Sequence, residues 1–247
     1  MNQAFLGYLH WGGLFFCLLC FALARFNQPR VARIVGIVPL LLALWGVGLI
    51  ISTAGRVPMY GPLETLSQVL AVVLTMIFFF PPRADQRGAI VYLPWLGAAL
   101  IQLLLILAPA KLNHNFYMYE HPMVIGFFQF RIWALAFSLL SSLNYLAGIK
   151  GLKASHGLSR GRNYLFVAAI LYLMGEFSGC TWCLLWLGDY WRWSSGFFES
   201  ALIFLLMMLI FHFPQSWIAN PKVKALAGGL VGPVVMILVM IHQWSAI

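Results

Sequence analysis

The chain has 247 residues, of which 62% are hydrophobic and only 9% charged. That balance excludes a water-soluble domain of this size, which would leave large apolar patches in contact with water. The formal charge of +9 is spread over several connections rather than gathered on one face, which argues against nucleic acid as the partner.

A spanning helix needs about 20 predominantly apolar residues. In chain order the apolar runs are Phe5 to Ala24, Ile34 to Thr53, Leu63 to Phe80, Ile90 to Pro109, Met123 to Ile149, Tyr164 to Leu185, Phe197 to Phe211 and Val223 to Ile241. The expected fold is therefore an all-α integral membrane protein, a polytopic bundle of about eight transmembrane helices forming one transmembrane domain over residues 1–247. The first run has no basic segment before it and no small-residue cleavage site after it, so it reads as a span and not as a signal peptide. The breaks FNQPR, PPRADQRG, KLNHNFYMYEHP and FPQSWIANPK mix Pro, Asn, Gln and charge, as turns do. No heptad, low-complexity tract or internal repeat is evident.

Charge parity predicts the orientation. Arg25, Arg30, Arg33, Arg83, Arg87, Lys150, Lys153, Arg160, Arg162, Lys222 and Lys224 fall in the odd-numbered connections, and the even-numbered ones hold only Arg56, Lys111 and Arg192. The positive-inside rule then puts both termini on the outer, non-cytoplasmic side, with Glu64, Glu120, Asp189 and Glu199 outside as well.

The sixth and seventh runs are joined by GCTWCLLWLGDYWRWSSGFFES, in which Trp182, Trp186, Trp191 and Trp193 crowd together. An interfacial belt spreads its aromatic rings over all helix ends. Four of ten tryptophans in one stretch instead predict a flat aromatic platform in an outer loop of about 182–199, with Tyr190 among its rings. Such a surface suits a large planar apolar ligand. By the same topology His10, His114, His121 and His242 lie at the outer face and His212 near the inner end of the seventh span. A single histidine there reads first as a hydrogen-bonded structural group. Two of them flanking an aromatic platform, however, match the axial ligation of haem iron.

Two further sets of residues bear on the chemistry. Cys17 and Cys20 lie in the middle or inner half of the first span, whereas Cys180 and Cys183 lie near the outer surface, so a joint four-cysteine metal site is not expected. For the second pair a redox role or an outer disulfide is open. Arg131 and Glu176 each lie roughly 13 Å below the outer end of their helix, at about 1.5 Å per residue. Equal depth predicts an interhelical ion pair, with a propionate anchor at Arg131, oriented by Glu176, as the functional alternative.

The run GEFSGCTWCLLWLGDYWRW resembles the tryptophan-rich signature of the CcsA/ResC and CcmC haem-handling proteins of cytochrome c assembly. Gly175, Gly179, Trp182, Gly188, Tyr190, Trp191 and Trp193 fall on its fixed positions. GRVPMYGPLETL is similar to the family's outer segment before its glutamate, which would be Glu64. His212 stands where the family has a histidine at the inner end of the helix after the platform, and His242 resembles its second outer histidine. The family's first outer histidine falls near Ile125, so His121, one turn earlier, takes that role on the shared helix face. Where the signature continues Asp-Pro-Lys-Glu, this chain has Ser194, Ser195, Gly196 and Phe197. Cys180 and Cys183 stand at small residues of the family's pattern, so for that pair the resemblance implies small-residue packing, with the redox role or disulfide as the alternative.

The resemblance implies haem b as cofactor, with Trp182, Trp186, Tyr190, Trp191 and Trp193 as platform and His121, His242 and His212 as axial candidates. Delivery to an apocytochrome c bearing CxxCH, a CcsB/ResB-like membrane partner and a thiol-reducing protein follow from the same source. So does placement in a bacterial inner membrane or a plastid membrane. The protein would orient haem and need no acid or base of its own. Two other readings stay open: a b-type membrane cytochrome passing electrons between quinone and an outer redox partner, and a non-haem structural or transport subunit on the same scaffold.

Overall fold

A computed structural model describes residues 3–82, 88–109, 111–112, 120–149, 154–188, 195–212 and 220–245. All regular structure among them is helical: α1 (Gln3–Arg25), α2 (Pro29–Val35), α3 (Ile37–Ala54), α4 (Pro62–Phe79), α5 (Ala89–Leu107), α6 (Pro122–Ala147), α7 (Ala154–Leu187), α8 (Ser195–His212) and α9 (Pro221–Ser245). Among the described residues seven helical segments are long and apolar enough to cross a membrane, with α2 and α3 counting together as Pro29–Ala54. Phe198–His212, within α8, is a shorter apolar helix. Helices suit an apolar solvent because they satisfy every backbone group internally. Large apolar side chains such as Phe15, Trp45, Phe177 and Leu205 project from the bundle surface.

Two elements depart from the apolar runs. The connection FNQPR is partly helical, since Pro29 opens α2 at a position where its missing N–H costs nothing. The break between α2 and α3 falls at Gly36, ahead of Pro39, which has no N–H to give to Val35. Helix α7 starts at Ala154, ten residues before the expected Tyr164, so His156, Arg160 and Arg162 are helical rather than in a loop. Their polarity interrupts the apolar run without interrupting the helix.

Helix α6 is the hub, with α7 and α9 packed along it. Close approach is made possible by small residues, the usual device where no hydrophobic effect drives helices together. Tyr145 of α6 is fully buried, and its ring lies where a Cβ on Gly228 would come within 2.5 Å and one on Gly161 within 2.8 Å. Ser141 and Ser142 donate to the carbonyls of Gly161 at 2.8 Å and Gly228 at 3.2 Å.

The two ends of the bundle differ. Arg33 donates to the Phe78 carbonyl at 3.0 Å, Arg160 donates to the Phe80 carbonyl, and Arg25 lies 5.6 Å over the Tyr92 ring. Basic side chains of α1, α2 and α7 therefore gather where α4 finishes and α5 begins. At the opposite end the 55–61 connection meets Glu64 of α4, Val124 and Phe128 of α6, Trp182 of α7 and His242 of α9.

Candidate functional site

The connection GRVPMYG is shaped by Gly55 and Gly61, with φ of 68° and 113°, values that favour glycine. Glu64, in the first turn of α4 and wholly buried, reaches back over it. Its carboxylate takes Arg56 bidentately at 2.7 and 3.0 Å and accepts the backbone N–H groups of Met59 at 2.8 Å and Tyr60 at 3.3 Å. A carboxylate at a helix N-terminus also complements the helix dipole. Gln129 of α6 adds a second tie, donating to the Pro58 carbonyl at 2.6 Å and accepting from Gln68 at 2.9 Å. Glu64 is thus a positioning residue that fixes Met59 and Tyr60.

Those two residues form one wall of a cavity of about 420 Å³ lying between α4, α6, α7, α8 and α9. Such a volume falls within the range of about 300–1,000 Å³ typical of small-molecule sites. Val124, Phe127, Phe128, Ile203 and Trp182 make its lining mainly apolar. Tyr60 packs edge-on against Phe128 with ring centroids 5.7 Å apart and against His242 at 6.5 Å. Burial, and after it the nearby Glu199 carboxylate, push the Tyr60 phenol above its ordinary range, so it remains a neutral hydroxyl.

Polar groups enter this lining in two places. His242 of α9 meets Glu199 of α8, Nδ1 to Oε2, at 3.1 Å. A proton held on Nδ1 by a carboxylate directs the lone pair of the neutral ring to Nε2, the arrangement that orients metal-bound histidines. Deeper, Arg131 of α6 donates Nε to Glu176 of α7 at 2.8 Å, and its Nη2 lies 2.7 Å from the same Oε1. Nη2 also meets the Tyr172 hydroxyl at 2.9 Å and the Ser200 hydroxyl. The guanidinium lies 4.3 Å over the Phe127 ring, a cation–π contact. The ion pair expected from equal depth is therefore present. Glu199 and Ser200, neighbours on α8, connect the two polar centres.

The other sequence candidates are dispersed. His121 caps α6, its Nδ1 accepting the Met123 N–H at 3.2 Å, and sits edge-on to Trp186 at 5.8 Å. That bond puts the ring proton on Nε2. His121 thus stands beyond Val124 and is not part of the cavity lining. His212 ends α8, bonded through Nδ1 to the Met208 carbonyl at 3.0 Å. Thirteen residues of helix, about 20 Å at 1.5 Å each, separate it from Glu199. His10 is buried against α5, where Gln102 donates to its Nδ1 at 2.9 Å and to its carbonyl at 3.0 Å.

His114, Tyr190, Trp191 and Trp193 lie outside the described residues. Of the stretch anticipated as a loop, 182–187 is the last part of α7 and 195–199 the start of α8. Trp182 lines the cavity from the helix, and Trp186 is 65% exposed. The glycines of the signature serve helix packing: a Cβ on Gly179 would meet Phe127 at 2.6 Å, and one on Gly175 would meet Arg131 at 3.1 Å. No cysteine forms a disulfide. Cys17 and Cys20 are buried in α1, and Cys180 and Cys183 line the cavity. Among the described residues no group of three or more His, Cys, Asp or Glu is placed to hold a metal ion.

Met59, Tyr172, Ser200 and Gln129 were not singled out by sequence reasoning. For Tyr172, Ser200 and Gln129 the available signal was a hydroxyl or amide in an apolar run; Met59, in the 55–61 connection, carried none. No model of a known protein family matches the chain, and no curated protein matches it.

Proposed function

We propose that the chain is an eight-span haem-handling protein of the CcsA/ResC type, with its termini and the His242 end of the bundle facing out of the cytoplasm. The observation that carries the reading is His242, oriented by Glu199 through Nδ1 beside the aromatic wall of Tyr60 and Trp182. The donor chemistry fits haem: an imidazole held at Nδ1 by a carboxylate is the arrangement that supports histidine ligands to iron.

In this reading His242 holds the iron and Trp182, Trp186 and Tyr60 supply apolar and aromatic surface. His121 serves as second ligand only by giving up its cap on α6, because its Nδ1 lone pair is engaged there. His212 belongs to the other end of α8 and to a separate step of haem passage. When bound, haem supplies an iron centre and the vinyl groups to which CxxCH thiols add, and the chain supplies orientation and redox poise. A CcsB/ResB-like membrane protein, an apocytochrome c and a thiol-reducing protein are the partners, and a bacterial inner membrane or a plastid membrane is the location.

The test is haem exchange. The purified protein, loaded with haem, is mixed with a peptide bearing CxxCH and, separately, with a quinol. Release to the peptide is the expected result. Retention of haem together with reduction by quinol would replace delivery by electron transfer. Failure to take up haem in the presence of the partner would leave a structural or transport subunit.

A further inference from the structure

The Arg131–Glu176 pair faces the cavity with hydrogen-bonding capacity to spare. Glu176 Oε1 takes both contacts from Arg131, and Arg131 Nη2 is shared among Glu176, Tyr172 and Ser200. Among the described residues Arg131 Nη1 and Glu176 Oε2 have no hydrogen-bond partner. The side chains are 27% and 29% exposed, and both line the cavity. Both atoms open into the cavity rather than into packed protein, which sets an accessible donor and an accessible acceptor side by side.

Charge decides the class of ligand. The pair sums to zero, so a fully ionised head would be drawn to Arg131 and repelled by Glu176. A neutral head offering an acceptor to Nη1 and, when reduced, a hydroxyl to Oε2 meets both. The surrounding lining of Phe127, Phe128, Tyr172 and Trp182 is aromatic, which favours a flat ring. Helix α8 supplies Ser200 and Ile203 on one side while Phe198, Leu202 and Leu205 on the same helix are exposed, so the site adjoins a surface suited to lipid. We propose that this floor binds the head of a lipid-soluble quinone, with Arg131 donating to a ring carbonyl and Glu176 accepting from the hydroxyl of the quinol form. The floor uses α6, α7 and α8 and shares its cavity, Trp182 included, with the wall beside His242, so binding is tested on the haem-free chain.

The experiment is equilibrium binding of decylubiquinone, a benzoquinone with a short alkyl tail, to the full chain in detergent, with oleate as competitor. Wild type should bind it. Arg131→Gln and Glu176→Gln should each weaken binding about tenfold or more, the loss expected for one charge-assisted hydrogen bond. Cys180→Trp, which fills the cavity from α7 and leaves the ion pair alone, should abolish binding while the melting temperature stays near that of wild type. Undiminished binding by Cys180→Trp, no binding by wild type, or displacement by equimolar oleate would each overturn the proposal, the last by showing a fatty-acid site. Haem titration of separate, quinone-free samples of wild type and His242→Ala tests the haem reading, so failure of one reading is distinguishable from failure of the other.

Discussion

Glu199 of α8 bonds His242 of α9 at 3.1 Å, and the very next residue, Ser200, bonds Arg131 of α6. One turn of a helix thus joins the histidine beside the aromatic wall to the ion pair at the cavity floor. Replacing Glu199 by Gln keeps the shape and removes the charge that orients the imidazole. Haem affinity, measured by titration of the purified chain with haem, should fall about 10–100-fold, the usual effect of losing such a supporting partner. An unchanged affinity would assign Glu199 to packing alone.

Glu64 gives a stability prediction. Glu64→Ala leaves the partly buried Arg56 without its bidentate partner and frees the 55–61 connection, at a cost of about 3–5 kcal/mol. Unfolding in mixed micelles should show that loss. Arg56→Ala combined with Glu64→Ala should cost less than the sum of the two single changes, because the stranded charge is then gone.

The packing of α9 on α6 is testable by suppression. Gly228→Ala drives a methyl to 2.5 Å from the Tyr145 ring and should destabilise by about 1–3 kcal/mol, the range for overpacking. Adding Tyr145→Leu should recover part of the loss. If Gly228→Ala has no effect on melting, the α6–α9 contact is looser than described.

Sidedness is open to labelling. In a chain with its native cysteines replaced, Glu120→Cys should react with a membrane-impermeant thiol reagent in intact cells, and Asn220→Cys should react only after permeabilisation. The reverse pattern would invert the proposed orientation.

Much of the fold is legible in the sequence because a bilayer imposes length and hydropathy on each helix, and α1, α4, α5 and α6 fall where their apolar runs do. The start of α7 was not, since Arg160, Arg162 and His156 break the hydropathy signal without breaking the helix. The Arg131–Glu176 pair was legible because two lone charges at one depth in lipid must find each other. The bond of His242 was not, because it depends on the rotation of α8, on which spacing is silent, and His121 turns back to cap its own helix instead of facing a neighbour. Glu64 stood out through the resemblance of its segment, and its bonds to Arg56, Met59 and Tyr60 make it the anchor of a wall.

The most direct measurement of the central claim is the absorption spectrum of the chain purified from haem-replete membranes, taken with and without His242→Ala. A b-type haem spectrum in wild type, lost or shifted in the variant while the protein remains folded, is the result expected. An identical spectrum in both, or no haem in wild type with its partner present, would contradict it.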